Sequence, residues 1–214
     1  MLSLNLELKG LRVILIGAGQ VGMRKLGYAL DSGATILVVE PMPGPALLEL
    51  AQNGRISLFR EFAPELLEGV TLAFVATPKE AAQGLLRELR GKVPLINMAT
   101  GGGNFDLPAI VEDGPLRLTV STCGAFPALT AKIAKDLRSQ FKGFGDYIKV
   151  LARLRELVLK SALPEEETKE ILFRLVESHE LYELLAKGAH SEAMGLIQST
   201  LLPRELFGDF DPFT

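Results

Sequence analysis

A glycine pattern near the amino terminus constrains the fold of this chain more than any other feature. A short apolar run is followed by Gly-Ala-Gly-Gln-Val-Gly at 17–22, by a helix-competent segment, and by a second apolar run that ends at Glu40. Gly17 suits the tight turn off a strand, Gly19 lets a pyrophosphate approach the backbone, and Gly22 lets the helix pack closely on the sheet. The N–H groups of the first helical turn then face the phosphates. The pattern predicts a βαβ dinucleotide-binding unit.

An acidic residue follows the glycines at the spacing typical of NAD sites. Glu40 stands 18 positions after Gly22, at the predicted carboxyl end of the second strand. A carboxylate there accepts hydrogen bonds from the ribose hydroxyls and repels a 2′-phosphate, so NAD is favoured over NADP. The alternative is a glycine-rich turn of an α/β domain that binds no nucleotide, which the combined context disfavours.

Strands alternate with helices over the first half of the chain. After the first strand and helix, further strands are predicted at 35–39, 56–59, 72–76 and 94–98, with helical segments at 46–52 and up to Arg90. This alternation predicts a Rossmann-like, doubly wound parallel sheet, in which ligands bind beyond the carboxyl ends of the strands. The segments expected to meet around one crevice are residues 17–22, Glu40, Ala76 with Thr77, and 97–100.

The composition then shifts, and this predicts a second module. A flexible glycine-rich loop at 101–104 and a turn at 108–111 precede a strand at 116–121, a helix that starts at Pro127, and an almost entirely helical pattern from 147 to 202. We predict an NAD-binding domain at 1–112, a dimerisation segment at 113–146 and a helical domain at 147–214. Apolar faces left over from the second core suit a symmetric dimer.

Composition excludes several function classes. Of the 214 residues, 48% are apolar and 23% are charged, with a net charge of −3, so neither disorder nor a nucleic-acid or anionic-membrane partner is expected. The apolar runs are far shorter than the roughly 20 residues that span a bilayer, and the start lacks a signal-peptide pattern, so we predict a cytoplasmic protein. The single cysteine, Cys123, excludes an intrachain disulfide and a multi-thiolate metal site, and it is predicted to be a small packing residue.

The order of motifs resembles that of the precorrin-2 dehydrogenases, including the dehydrogenase/ferrochelatase module at the amino end of siroheme synthase. The more specific matches are the paired Arg24-Lys25 that follow the glycines and the segment Ser-Thr-Cys-Gly-Ala-Phe-Pro-Ala-Leu at 121–129. Other matches are Leu8-Lys9-Gly10, Val38-Val39-Glu40-Pro41, Ala76-Thr77, Asn97 and Pro108-Ala109-Ile110-Val111. The resemblance covers most of the chain.

The resemblance implies an enzyme that oxidises precorrin-2 to sirohydrochlorin with NAD. It also implies a homodimer in which an NAD domain is joined to a dimerisation segment and a helical domain, with the active cleft between them. Family cofactor positions correspond to Gln20 and Val21 on the glycine loop and to Pro41 and Met42 after the second strand. Ser121, in the matching segment, is assigned to substrate binding.

The chain departs from the family pattern at positions that carry chemistry. An aspartate implicated in dehydrogenation and metal insertion is replaced by Thr100, while Cys123 and Phe126 replace a glycine and a serine. Threonine is not a carboxylate base, so Asp106 is a candidate surrogate, weighed against a plain loop carboxylate. His179 and His190 lack ligand spacing, so no metal site is predicted and chelatase activity is expected to be weak or absent.

The polycarboxylate substrate calls for cations. Lys132, Lys135 and Arg138 on one predicted helix are the candidates, with Arg24 and Lys25 nearer the cofactor. Two alternatives stay open: a non-catalytic NAD- and tetrapyrrole-binding homologue that serves as a carrier or sensor, and an NAD-dependent dehydrogenase with another substrate.

Overall fold

The computed structural model describes residues 4–203, 206, 212 and 213, and the chain forms two compact units. The first unit ends at Leu107 and the second begins at Pro108. This division precedes the boundary predicted at residue 112. Residues 1–3 and most of those after 203, which the predicted domains include, lie outside the described residues.

The first unit is built on a five-stranded parallel sheet. The strands are β1 (Arg12–Ile16), β2 (Thr35–Val39), β3 (Ser57–Phe59), β4 (Val70–Val75) and β5 (Leu95–Met98). Their spatial order is β3-β2-β1-β4-β5, and every neighbouring pair is parallel. The strand order reverses between β1 and β4, where such sheets bind their ligands. The predicted Rossmann-like, doubly wound sheet is confirmed.

Helical segments cover both faces of this sheet. They are α1 (Gln20–Gly27), α2 (Pro45–Gln52), a 3-10 turn (Pro64–Leu67) and α3 (Lys79–Leu89). Leu26 of α1 and Leu47 of α2 pack into the core on one face, whereas Ala82 and Leu89 of α3 pack into the core on the other. Because both faces are covered, the central strands are continuous apolar runs.

Helix α1 ends at Gly27, although the apolar spacing of Met23, Leu26 and Leu30 continues toward Gly33. The intervening residues form turns in which the Ser32 hydroxyl donates to the Ala29 carbonyl oxygen at 2.6 Å, and Gly33 takes a φ of +76°. A glycine at the last helical position and a serine that bonds the backbone locally both favour turns over further helix.

The second unit begins with an antiparallel hairpin of β6 (Ala109–Asp113) and β7 (Leu116–Val120). The turn predicted at 108–111 is therefore wrong, because Ile110 and Val111 pair with Thr119 and Leu118. The β-branched Ile110 and Val111 fit a pleated surface, and the actual turn lies at Gly114, which has a φ of +55°. Helix α4 (Pro127–Gln140) packs on the hairpin and starts where predicted.

The rest of the second unit is helical, as predicted for residues 147–202. It contains α5 (Phe144–Lys160), α6 (Glu165–Glu177), α7 (His179–Ala186), α8 (His190–Leu196) and a π-helical turn (Ile197–Leu201). These elements share one core, which includes Leu154, Ile171 and Leu181. The predicted division at 146/147 falls inside α5. Within the described part of the chain, no helix is long and apolar enough to cross a membrane.

Candidate functional site

Four backbone hydrogen bonds tie together the loops at the carboxyl edge of the sheet. The N–H groups of Glu40 and Gly17 donate to the carbonyl oxygens of Phe59 and Val39, respectively, both at 2.9 Å. The N–H groups of Ala76 and Ala99 donate to the carbonyl oxygens of Ile16 and Val75, both at 2.8 Å. Each bond extends the pairing of two neighbouring strands into the loop that follows. The structure therefore brings the glycine loop, Glu40, Thr77 and the residues after β5 to one edge.

Two glycines of the loop are required by close backbone packing. Gly17 has a φ of +90°, and a Cβ there would lie 2.6 Å from the carbonyl oxygen of Ala76. A Cβ on Gly22 would collide with the carbonyl oxygen of Gly17. Any side chain at either position would push the loop off the sheet or the helix off the loop.

The third glycine is different, because its surroundings are open. Gly19 is exposed, and a Cβ there would meet no heavy atom within 4 Å. It is the N-cap of α1 and, being glycine, supplies no side-chain acceptor to the first turn. Gln20 and Val21 are exposed beside it. The first-turn N–H groups and the positive end of the helix dipole thus border open space at the switch point, which fits a pyrophosphate.

Glu40 is held in place by two backbone donors. Its Oε2 accepts from the N–H of Ala18 at 2.7 Å, and its Oε1 accepts from the N–H of Met42 at 3.2 Å. The carboxylate is half-buried, whereas Pro41 and Met42 are exposed. A carboxylate offers about four lone-pair sites, so acceptor capacity remains for ribose hydroxyls.

Thr77 supplies a buried polar atom beside the glycine loop. Its Oγ1 is inaccessible to solvent and has no hydrogen-bond partner among the described residues. Its methyl carbon would lie 3.0 Å from a Cβ on Gly17. Buried hydroxyls are almost always paired, so this oxygen fits a site that a bound dinucleotide completes.

The two candidate acid–base positions follow β5. Thr100 and Asp106 are both exposed, on either side of the glycine-rich loop. That loop is anchored where it ends: the Asn104 Oδ1 accepts from the Ile96 N–H at 2.7 Å, and its Nδ2 donates to the Pro94 carbonyl oxygen at 2.6 Å. This end of the loop is therefore fixed, in contrast to the flexible loop predicted for residues 101–104.

Lys25, a candidate for substrate carboxylates on the cofactor side, is buried instead. It is 6% exposed and its Nζ donates to the Oδ1 of Asn97. Gly22 and Leu26 are buried on the same face of α1. The 3.6-residue helical period places Lys25 on that sheet-facing stripe, and this signal could have predicted its burial but not its partner. The neighbouring Arg24 is exposed.

Asn97 links this lysine to the segment that carries Asp106. The Nδ2 of Asn97 donates to the carbonyl oxygen of Phe105 at 2.9 Å. Burial lowers the pKa of Lys25, the charge of Arg24 lowers it further, and the carboxylate of Asp106 opposes both effects. A cation, an amide and a carboxylate therefore interact at this corner of the crevice.

The basic candidates of the second unit lie on α4 and are exposed. The Nζ of Lys132 lies 2.7 Å from a carboxylate oxygen of Asp136, and Arg138 donates to the carbonyl oxygen of Ile110 at 3.3 Å. Lys135 is exposed one turn from Lys132. Exposed ion pairs contribute little stability, so Lys132 is available to a stronger anion.

The segment at 121–126 forms a tight turn before α4. The hydroxyl oxygen of Ser121 accepts from the N–H of Cys123 at 3.0 Å, and the N–H of Ala125 donates to the carbonyl oxygen of Thr122 at 2.9 Å. Cys123 is exposed and has a φ of +51°. The prediction that it packs in a core is wrong, because it occupies a turn position rather than a strand or helix.

The two histidines are exposed in the helical unit. His179 lies 3.7 Å from a carboxylate oxygen of Glu183, and the ring of His190 stacks on Phe213 with centroids 4.8 Å apart. Among the described residues, no group of three or more histidine, cysteine or acidic side chains could hold a metal ion.

Comparison with known proteins places the crevice in a family context. A family model described as "Putative NAD(P)-binding" matches residues 4–109, which include the whole parallel sheet and the glycine loop. The precorrin-2 dehydrogenase of Priestia megaterium is 30% identical over 181 residues, which cover 83% of this chain and 90% of that protein. The chain belongs to the precorrin-2 dehydrogenase family. NAD is the cofactor of this family, and the matched residues include the open N–H groups of α1 and the carboxylate of Glu40.

Two further relatives show how far the family likeness extends. The solved structure of "SirC, precorrin-2 dehydrogenase" matches with a TM-score of 0.76 and 27% identity, covering 91% of this chain and 100% of that one. "Siroheme synthase 3" of Aeromonas hydrophila is 30% identical over 192 residues, or 87% of this chain but 41% of that protein. The chain therefore spans less than half the length of that siroheme synthase. The SirC match covers residues from both units of this chain.

Proposed function

We propose that the protein is an NAD-dependent dehydrogenase that converts precorrin-2 to sirohydrochlorin in siroheme biosynthesis. The observation that carries this proposal is the glycine loop with Glu40 at the switch point of the sheet, in a chain that matches a precorrin-2 dehydrogenase over 90% of that protein's length. The reaction removes a hydride and a proton from the substrate and extends its conjugation. Bound NAD supplies the hydride acceptor, and the protein supplies position and electrostatics.

The chain's own groups divide the work of holding the dinucleotide. The open N–H groups after Gly19 receive the pyrophosphate, and Gln20 and Val21 border it. The Oγ1 of Thr77, buried beside the loop, donates to the bound dinucleotide. Glu40 holds the ribose diol and repels a 2′-phosphate, which makes NAD the cofactor rather than NADP. Pro41 and Met42, exposed next to Glu40, would help to hold the dinucleotide.

Proton removal is assigned to Asp106. Thr100 occupies the family's aspartate position, and its hydroxyl is not a base near neutral pH. Asp106 is the carboxylate whose charge reaches Lys25 at this corner, and its exposure leaves it open to substrate. Metal insertion is proposed to be weak or absent, since Thr100 gives neither a base for pyrrole protons nor a carboxylate ligand.

Substrate carboxylates are assigned to Ser121, Lys132, Lys135 and Arg138 in the second unit. Their exposure and the weak pairing of Lys132 support this assignment.

A homodimer is also proposed. In it, residues 1–112 form the NAD-binding domain, residues 113–146 form the dimerisation segment, and residues 147–214 form the helical domain. Phe126 and Leu129 in that segment are 60% and 43% exposed, as expected of side chains that a second copy covers. We place the protein in the cytoplasm.

The test is to incubate the protein with precorrin-2 and NAD and to record NADH absorbance together with the spectrum of sirohydrochlorin. We expect turnover by the wild type that Asp106→Asn reduces at least about 100-fold, the range of general acid–base contributions. Turnover only in Thr100→Asp indicates instead a non-catalytic NAD- and tetrapyrrole-binding carrier or sensor, which the missing family aspartate favours. Sirohydrochlorin with Co²⁺ tests chelation, and rapid insertion that depends on Thr100 contradicts that part of the proposal.

A further inference from the structure

Lys25 is the one lysine of the described residues that the fold buries. It is 6% exposed on the sheet-facing stripe of α1, one turn beyond the glycine loop. Lysine is almost never fully buried without a partner, because removing its charge from water is costly. Its position beside the cofactor loop therefore calls for an explanation.

The contacts of Lys25 connect two parts of the crevice. Its Nζ donates to the Oδ1 of Asn97 and lies 6.0 Å from the ring centroid of Phe74. The other end of the Asn97 amide donates to the carbonyl oxygen of Phe105 at 2.9 Å, and the Phe105 ring packs 6.3 Å from that of Phe74. Two hydrogen bonds and two rings thus join α1 to the residue directly before Asp106.

The asparagine is oriented by these bonds. An amide has one acceptor end and one donor end, and the ammonium of Lys25 can only donate. Lys25 therefore fixes the Asn97 oxygen toward itself and leaves the Nδ2 of Asn97 for Phe105. Without the ammonium, the amide could turn and release the Phe105 carbonyl.

We propose that Lys25 is a positioning residue for the dehydrogenation: through Asn97 it holds the Phe105–Asp106 segment in register with the glycine loop. This inference rests on the proposed role of Asp106 in proton removal. Correct placement of a proton acceptor relative to the dinucleotide is worth large rate factors, and small displacements are costly. In this role Lys25 acts through Asn97 rather than by contacting substrate or cofactor itself.

Two variants break the connection at different points. Lys25→Met keeps an unbranched side chain, one atom shorter, but removes the donor. Asn97→Asp keeps a partner for Lys25 but loses the N–H that holds Phe105. Lys92→Met, on an exposed lysine of the same unit that pairs with Glu88, is the matched control.

We expect Lys25→Met and Asn97→Asp each to lower kcat about 10- to 100-fold, with KM for precorrin-2 and Kd for NADH within about threefold of wild type. The double variant is expected to lose no more than about threefold beyond the slower single variant, because both changes cut the same connection. Hydrogen exchange at the amides of residues 105–107 is expected to quicken in both single variants. Lys92→Met is expected to match wild type in kcat, in KM for precorrin-2, in Kd for NADH and in hydrogen exchange.

Other outcomes overturn the inference. An unchanged kcat in either variant contradicts it, as does a Kd for NADH that rises by the same factor as kcat falls, since Lys25 would then only support the cofactor loop. If Lys25→Met fails to fold, Asn97→Asp decides alone. If the wild type produces no NADH, the proposed function fails, and hydrogen exchange still decides separately whether Lys25 and Asn97 hold the 105–106 segment.

Discussion

The carboxylate of Glu40 and the backbone N–H of Ala18 form a hydrogen bond of 2.7 Å that joins the end of β2 to the glycine loop. The same carboxylate accepts from the N–H of Met42 at 3.2 Å. Two backbone donors thus fix its position before any ligand arrives. We expect a negative charge fixed at this edge to favour NAD over NADP, which carries one more phosphate group.

Glu40→Gln tests that selection. The glutamine amide oxygen can still accept from Ala18, so the shorter of the two bonds, the one to the glycine loop, is kept while the charge is lost. Hydrogen bonds to charged groups contribute about 1.5–3 kcal/mol, so the preference for NADH over NADPH is expected to shrink about 10- to 100-fold. Titration calorimetry with both coenzymes measures it, and Glu61→Gln on an exposed position is the control. An unchanged ratio contradicts the role of Glu40.

Gly19→Ala is expected to separate binding from folding. Its Cβ meets no protein atom within 4 Å, so the melting temperature should stay within about 2 °C of wild type. The new methyl group occupies the space through which a pyrophosphate approaches, so the Kd for NADH should rise about 10-fold or more. Binding at wild-type strength would place the phosphates elsewhere.

Gly22→Ala is expected to do the opposite. Its Cβ collides with the carbonyl oxygen of Gly17, which is backbone and cannot rotate away. Forcing a methyl group into such packing costs about 1–3 kcal/mol. Urea unfolding followed by circular dichroism should show this loss of stability without ligand, with Gly19→Ala as the matched comparison. Equal stability of the two variants contradicts the packing argument.

The fold of the first unit follows from local patterns. Apolar runs, the glycine loop and Glu40 each signal their own structure within a few residues, so the parallel sheet and its carboxyl-edge crevice could be predicted. The strand β6 (Ala109–Asp113) could not be predicted in this way, because it forms only through pairing with β7. Local turn signals dominate such a segment when its partner is unknown.

The candidate site could also be predicted in part from the sequence. Residues directly at strand ends were placed by topology alone. The bond between Lys25 and Asn97 joins residues 72 positions apart, and no motif records it. Asn104 is comparable, because its pairing with Ile96 depends on how the glycine-rich loop turns back on β5. Such anchors emerge only when the chain is folded.

Lys25 should also make stability depend on pH. Its pKa in the folded protein is lowered from 10.5 by burial and by Arg24, with Asp106 opposing. Between the lowered pKa and 10.5 the unfolded chain binds the proton that the folded chain has released, so the free energy of unfolding rises with pH. The free energy of unfolding of the wild type, minus that of Lys25→Met, should therefore rise from pH 8 toward about pH 10.5. Urea titrations across that range measure it, and a flat or falling difference contradicts the burial of the charge.

Tyr147 should act with the opposite sign in the second unit. Burial raises its pKa above 10.0, Glu177 raises it further, and its hydroxyl donates to the carbonyl oxygen of Val176 at 3.2 Å. Above pH 10.0 the unfolded chain loses this proton while the folded chain keeps it, so stability falls as pH rises toward the folded pKa. Tyr147→Phe should cost about 1 kcal/mol at neutral pH, the net worth of one hydrogen bond. This deficit should shrink as the pH rises above 10.0. Urea unfolding of both proteins at several pH values measures this, with Tyr28→Phe, on a side chain 39% exposed, as the control. A deficit that persists unchanged at high pH would mean that the hydroxyl ionises as readily in the folded protein as in the unfolded chain.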